Sequence, residues 1–535
     1  MKDCFLTIEG GDGIRRTPFT PPVRLSDLLA RQGVPLDMPC GGRQRCLKCK
    51  LTVTGSLSPL GERERALLTD ADLRANRRYA CMVDLTGDAH AVLPRKEGAA
   101  QILTEGAMPA FRHAPWAAGI GAAVDIGTTT VAAYLFDLQD GSLLATLSES
   151  NPQAVFGADV ISRLEKAMAG QGAALAGAIR GCVARLLTGL CDKAARPPAD
   201  MGGVVLTGNT AMLYLLCDAS PASIVAAPFD MDRPFGQFVP PTALDLPLPP
   251  DCRVYLPRCL SAYVGADITT ALLAAGFYKR DEGGEAFRVP DGPPCLLVDI
   301  GTNGEMALAA NGGLLCCSTA AGPALEGAGI RQGMMAADGA IYRVRLEKEQ
   351  ILCGVLGGGE ARGICGSGLI DAIAVLRAAG VVDEAGVIHE ADHPFTACME
   401  EVDGQPAFRL PDTAVVLTQK DIRAVQLAKS AICAGMLTLL SEAGLSPADV
   451  AELVIAGGFG SRVDVANAQR IGLIPPGFAD KARAVGNAAG AGAAMTLLSD
   501  DMRQAGEQMP AVTRTVELSS HPGFMDAYID GMFFP

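Results

Sequence analysis

The chain lacks most of the features that mark special environments. No window offers about 18 uninterrupted apolar residues, and the best candidate, Leu427 to Leu440, is broken by Lys429 and Ser430. The first nine residues, Met1 to Glu9, alternate like a strand and have no apolar signal-peptide core. These absences speak against membrane insertion and export and imply a cytoplasmic protein. There is no Lys/Arg stripe, and 45 basic residues face 59 acidic ones for a net charge of −14, which excludes a nucleic-acid footprint. Aromatic residues are scarce at 5%, with a single Trp in 535 residues. Charged residues reach only 19% against 49% hydrophobic, and the 62 glycines follow no period, so neither a disordered nor a collagen-like chain fits.

What is present is unevenly placed. The length allows three or four folding units at a soft prior of about 150 residues each. Seventeen cysteines in a chain without an export signal argue against a disulfide framework. Most, such as Cys295 and Cys433, sit in apolar runs and read as small core residues. Four others, Cys40, Cys46, Cys49 and Cys81, gather in the first hundred residues. Residues 1–95 carry 15 Lys and Arg against 11 Asp and Glu, a net +4, which leaves −18 for the remainder. A small basic module therefore precedes a large acidic body.

In the module, residues 3–9 and a second segment near Val23 flank Gly11-Asp12-Gly13 as in a hairpin. Ser26 reads as the N-cap of a helix over 27–32 that Gly33 ends. The loop that follows spaces its cysteines C-x5-C-x2-C, then comes a strand over 50–54 and, later, Cys81. Three thiolates within ten residues plus a distant fourth suit a metal centre at the end of a small sheet. Gly41 and Gly42 give the loop the freedom to bring backbone N–H groups to cluster sulfides. Zinc remains the alternative, but it usually takes two C-x2-C knuckles and Cys81 stands alone. The segment resembles plant- and adrenodoxin-like ferredoxins, with the adrenodoxin-like first gap. That resemblance implies a β-grasp, ferredoxin-like α+β fold for residues 1–95 and a 2Fe–2S cluster on Cys40, Cys46, Cys49 and Cys81.

Residues 96–119 lack a clean period and read as a linker, with Trp116 as an anchor against a domain. Beyond it the sequence repeats itself at a separation of 174. Val124-Asp125-Ile-Gly127-Thr128-Thr129 and Val298-Asp299-Ile-Gly301-Thr302-Asn303-Gly304-Glu305 each precede an apolar run, an Asx-Gly turn (140–141, 311–312) and another apolar run. Each copy is followed later by a buried strand ending in glycine, at Gly208-Asn209 and at Gly457-Gly458-Phe459-Gly460. Two similar α/β halves facing a cleft follow, here taken as residues 120–290 and 291–535. A strand–Asp-x-Gly-Thr turn aims backbone N–H groups and hydroxyls at one point, an anion nest for phosphate. Asp125 and Asp299 suit Mg²⁺, directly or through water. Gly457, Gly458 and Gly460 let a backbone approach a nucleobase or ribose.

Other positions read two ways. Asn209 is a cleft contact or a plain turn residue. Asp267 and Glu305 orient an attacking water, or cap a helix or pair with Arg. Glu326, after Gly322-Pro-Ala-Leu, contacts ribose or is solvated. Cys365 reads as a packing residue. Thr418 and Asp421 form a capping box on a core helix over 422–441.

These motifs resemble the acetate kinase/sugar kinase/Hsc70/actin ATPase superfamily. Gly208-Asn-Thr-Ala-Met212, Val264-Gly-Ala-Asp267, Gly322-Pro-Ala-Leu-Glu326-Gly, Gly363-Ile-Cys-Gly-Ser-Gly368 and Ala456-Gly-Gly-Phe-Gly460 are similar to one branch, the reductive activators of corrinoid proteins. In that branch a ferredoxin domain precedes the ATPase body, the order found here. The resemblance implies a two-lobed RNase H-like, actin-like body that binds ATP with Mg²⁺. It implies one-electron reduction of a Co(II) corrinoid methyl-transfer protein to Co(I), and a low-potential electron donor as second partner. Homodimer formation stays open, since about 25 linker residues leave little room for the extra module some members carry. The competing readings are a small-molecule kinase with a fused ferredoxin, and a nucleotide-dependent binding or redox-sensing module.

Overall fold

A computed structural model describes residues 4–10, 13–32, 34, 36, 44, 49–93, 108–280, 286–458 and 463–535. The chain divides into two compact units, one of Met1–Ala99 with Pro152–Ala169, the other of Ala100–Asn151 with Gly170–Pro535.

The first unit is built on a mixed sheet. Strands Cys4–Gly10 and Gly13–Phe19 form an antiparallel hairpin paired from Cys4↔Phe19 to Gly10↔Gly13. The hairpin partner expected near Val23 is therefore Gly13–Phe19, because Thr17 and Phe19 alternate inward there while Ile14 and Arg16 face solvent. Val23–Arg24 pairs instead with strand Asp84–Val92, which also runs parallel to Cys4–Gly10. Lys50–Leu57 and then Arg77–Tyr79 complete the sheet. The helix spans Leu25–Arg31, starting earlier than expected. Arg24 holds the N-cap position without a side-chain capping bond, and Ser26 is buried with its hydroxyl donating to Asp27 rather than capping. Leu25, Leu28 and Leu29, spaced i, i+3, i+4, join Leu6, Leu51 and Leu85 in one core. Pro152–Ala169, read from the sequence as part of the body, packs with this unit, where Val155 rests on that core.

The second unit has two lobes whose sheets share a five-strand order, with Gln237–Val239 and Thr513–Thr515 added at opposite edges. Lobe one runs Gln237–Val239, Arg253–Leu256, Met201–Gly208, Ile120–Ile126, Thr130–Asp137, Leu143–Ser150. Lobe two runs Ala482–Gly486, Glu452–Ala456, Cys295–Ile300, Gly304–Ala310, Gly313–Thr319, Thr513–Thr515. In both, the strand ending at the Asp-x-Gly turn lies parallel to the later glycine-ended strand and antiparallel to its hairpin partner. The lobe-two hairpin turns at Asn311-Gly312, both with positive φ, as its sequence required.

Helix Gln419–Glu442 carries the expected capping box, Thr418 accepting from the Asp421 amide and Asp421 from the Thr418 amide. Its Ile422, Val425, Ile432, Met436 and Leu439 enter the lobe-two core. By composition this helix could cross a bilayer, but 78% of its most apolar window is buried in the protein. Helices Ala266–Ala275 and Ala488–Leu498 lie against each other with almost no gap: a Cβ on Gly492 would stand 1.8 Å from the Thr270 carbonyl oxygen. The end of the former linker packs on the body. Trp116 donates from Nε1 to the Thr496 carbonyl at 2.8 Å, and its ring meets Phe238 edge-on.

Candidate functional site

The two Asp-x-Gly turns open onto one cleft between the lobes. It contains about 1350 Å³ of space, open solvent at its mouth included. Asp125, Gly127, Thr128, Thr129 and Asn209 line it from lobe one. Asp299, Gly301, Thr302, Asn303, Glu305, Glu326, Gly457 and Gly458 line it from lobe two, and Asp267 stands in the first turn of helix Ala266–Ala275.

Close backbone approach explains the glycines. A Cβ on Gly127 would lie 2.6 Å from the Thr130 carbonyl oxygen, and Gly457, at φ +103, would put one 2.5 Å from that of Ile300. Gly304, expected at the site, does not line the cleft: its missing Cβ faces Ile432 and Thr319 at 3.0 and 3.1 Å. Gly460 lies outside the described residues. Asn209 proves to be both cleft wall and cap. Its Oδ1 accepts from the Met212 amide at 2.9 Å, starting helix Thr210–Leu216, while its Nδ2 donates to Thr128 Oγ1 at 3.2 Å.

Four carboxyl groups crowd the floor. Burial pushes Asp125 up to about 6, opposed by a hydrogen bond from Asn487. Burial, then the charges of Asp267 and Asp125, push Asp299 up to about 8. Asp267 and Glu305 are raised for the same two reasons, burial first and neighbouring carboxylates second. Crowded acids of this kind favour protons or a cation.

Glu326 lines the cleft and is not the freely solvated side chain that one of its two sequence readings allowed. Its Oε2 accepts from Thr129 Oγ1 at 2.6 Å and from Thr302 Oγ1 at 2.7 Å, so one carboxylate oxygen joins the two turns. The hydroxyls themselves lie 3.3 Å apart. In the lobe-two turn the Gly301 amide is spent on the Asn303 carbonyl.

Sequence reasoning missed Asn487. It donates to Asp125 Oδ2 at 2.9 Å and to the Tyr134 hydroxyl at 3.2 Å, and its Oδ1 accepts from the Gly490 amide, capping helix Ala488–Leu498. The available signal was its position after strand Ala482–Gly486 and before an Ala/Gly run, a third strand-to-helix turn. Cys365, Ser367 and Met334 also line the cleft. Cys365 packs as expected, its thiol donating to the Ile341 carbonyl at 3.4 Å.

In the first unit Cys49 and Cys81 are buried with their Sγ atoms 3.3 Å apart. Cys40 and Cys46 lie outside the described residues, and among the described residues no three His, Cys, Asp or Glu side chains come close enough to hold a metal. The Cys49–Cys81 spacing is near the ~3.8 Å that a tetrahedral ion with ~2.3 Å bonds to sulfur imposes on two thiolates. The Cys81 thiol is pulled down by its contact with Cys49, against the opposing effect of burial. Its carbonyl is held by Arg24 Nη1 and Gln44 Nε2. This pair fits half of a four-thiolate site.

Two like-ordered sheets closing on a cleft of acidic and hydroxyl side chains define the class, a two-lobed ATPase-type body. Residues 293–535 match the C-terminal ASKHA domain of RACo, and residues 120–280 match the RACo middle region. The corrinoid activation enzyme RamQ of Eubacterium limosum is 36% identical over 433 residues, 77% of this chain and 70% of that one. A [Co(II) methylated amine-specific corrinoid protein] reductase of Methanosarcina barkeri is 29% identical over 265 residues, 44% of this chain and 43% of its own. A solved reductive activator for corrinoid, iron–sulfur protein superposes with TM-score 0.71 at 26% identity, covering 99% of this chain and 98% of that one. The chain belongs to the RACo family, the reductive activators of corrinoid proteins.

Proposed function

We propose that this chain is an ATP-dependent reductive activator that restores the Co(I) state of a corrinoid methyl-transfer protein. Residues 1–95 form its 2Fe–2S ferredoxin-like domain, 96–119 a linker, and 120–535 the ATPase body with lobes 120–290 and 291–535, apart from Pro152–Ala169, which groups with the first unit. Cys40, Cys46, Cys49 and Cys81 hold the cluster, which when bound supplies electrons singly.

The nucleotide sits between the lobes. Thr128, Thr129 and Thr302 donate hydroxyls to phosphate oxygens, while Gly127 and Gly301 keep the turns small enough for phosphate to approach. Asp125 and Asp299 take Mg²⁺, whose charge relieves the mutual repulsion of the floor acids. Asp267 and Glu305 are the carboxyl groups from which a water is oriented toward the terminal phosphate. Gly457, Gly458 and Gly460 let the backbone lie close to the nucleoside. Binding shifts the lobes only by its differential affinity for their arrangements, and the partner feels that shift.

What carries this reading is the convergence of the Asp125 and Asp299 turns on one cleft in a chain of this family. The test mixes iron-reconstituted protein, a low-potential reductant, Mg-ATP and a Co(II) corrinoid protein. Absorbance of Co(I) should appear with ATP; equal formation without ATP refutes the proposal.

A further inference from the structure

We infer that Glu326 is a built-in competitor of the nucleotide, a carboxylate that clasps the two lobes by occupying the hydroxyls a phosphate must take. The inference rests on the nucleotide reading above and deepens it.

The geometry is specific. Thr129 belongs to the turn after strand Ile120–Ile126 and Thr302 to the equivalent turn after Cys295–Ile300, one position out of step in the repeat (Thr302 matches Thr128), so their contact joins the turns of opposite lobes. Each hydroxyl has one proton to donate. Both spend it on the same oxygen, Glu326 Oε2, at 2.6 and 2.7 Å. A phosphate oxygen cannot receive those protons until Glu326 gives them up. The two hydroxyl oxygens stand 3.3 Å apart over that one acceptor, close enough to touch each other as well.

Glu326 is mounted for such a role. It ends the short turn Pro323–Glu326, flanked by Gly322 and Gly327, both at positive φ. A side chain on Gly327 would collide with the Met334 backbone at 2.7 Å, which anchors the turn on the lobe-two side. The carboxylate therefore belongs to lobe two and, among the described residues, reaches across to lobe one through its bond from Thr129. Its charge has the sign of the ligand it opposes, so phosphate arriving beside it is repelled until the contact opens. A ribose ligand, one of the two roles the sequence allowed, would instead leave the carboxylate facing sugar hydroxyls and away from the two turns.

The two roles predict opposite signs. In Glu326→Ala the competitor is gone, and Mg-ATP measured by titration calorimetry on the full chain should bind roughly three- to tenfold tighter, part of the strength of two charge-assisted bonds. Glu326→Gln keeps an acceptor but no charge, and its affinity should fall between wild type and alanine. Unchanged or weaker binding by either variant overturns the inference. A second reading needs no nucleotide: amide exchange over residues 127–130 and 301–304 should be faster in Glu326→Ala than in wild type, and equal rates overturn the clasp. Wild-type protein that fails to bind Mg-ATP at all would sink the nucleotide reading instead, while the exchange comparison would still judge the clasp.

Discussion

Asn487 joins the cleft to the frame, and its replacement should separate two contributions. The residue is 8% exposed, so its polar atoms have little access to water. Its Oδ1 caps helix Ala488–Leu498, worth about 1 kcal/mol when replaced by alanine. Its Nδ2 donates to the Asp125 carboxylate, a bond to a charged group worth about 1.5–3 kcal/mol. Asn487→Ala should therefore destabilise the body by about 2.5–4 kcal/mol. Asn487→Ser keeps a good cap but is too short to reach Asp125, so it should lose only the second share, about 1.5–3 kcal/mol. The molecule carries its own reporter. Trp116, the sole tryptophan, donates to the carbonyl of Thr496 on the same helix, so its emission follows unfolding of the body and ignores the N-terminal unit. Denaturant midpoints at unchanged slope then give the differences. Serine equal to wild type would mean the Asp125 bond contributes nothing. Serine equal to alanine would mean the cap does not, and either result refutes the assignment.

Asp299, pushed up to about 8, and Asp125, pushed up to about 6, bind protons more tightly folded than unfolded. Between about pH 4 and 8 the native state thus holds the extra proton, and stability should fall as pH rises through that window. Without divalent cations the Trp116-monitored midpoint should drop from pH 6 to 8, and Mg²⁺ should flatten the slope; a rising midpoint contradicts the crowding. Gly492→Val should force the Ala266 and Ala488 helices apart at the Thr270 carbonyl, costing about 1–3 kcal/mol or more in the same unfolding assay. Cys81→Ser should abolish the visible iron–sulfur absorption while Mg-ATP affinity stays within twofold of wild type. Retained absorption would remove Cys81 from the ligand set.

The fold was legible where local signals repeat. Asx-Gly turns between apolar runs fixed the hairpins, and the 174-residue repeat delivered two sheets with five strands in the same order. The Thr418–Asp421 capping box likewise marked the start of a 24-residue helix. Legibility failed where the deciding partner is distant in sequence. Asn487 meets Asp125 across 362 residues, and Glu326 meets Thr129 across 197. No local pattern distinguishes such an asparagine from an ordinary cap, or such a glutamate from a solvated one. Ser26 failed for another reason: a serine beside Asp27 satisfies the rule for an N-cap, but the helix that buries Leu25 begins two residues sooner.

Gly304 shows why a repeat does not transfer function position by position. It corresponds to Thr130 in the first copy, and the run Asp-Ile-Gly-Thr-Asn-Gly invites the reading that every glycine cradles phosphate. In the second lobe the long Gln419–Glu442 helix packs against the sheet with Ile432 only 3.0 Å from where a Cβ on Gly304 would stand. There the glycine makes room for a helix. In the first lobe the equivalent Thr130 keeps its side chain, with its hydroxyl near the Met335 sulfur of the opposite lobe. The two turns thus share a backbone and a role for Asp and Thr, but the packing behind each decides what the next residue does. The asymmetry places the hydroxyl pair Thr129 and Thr302, rather than the glycines, at the centre of the cleft, where a single carboxylate can reach both.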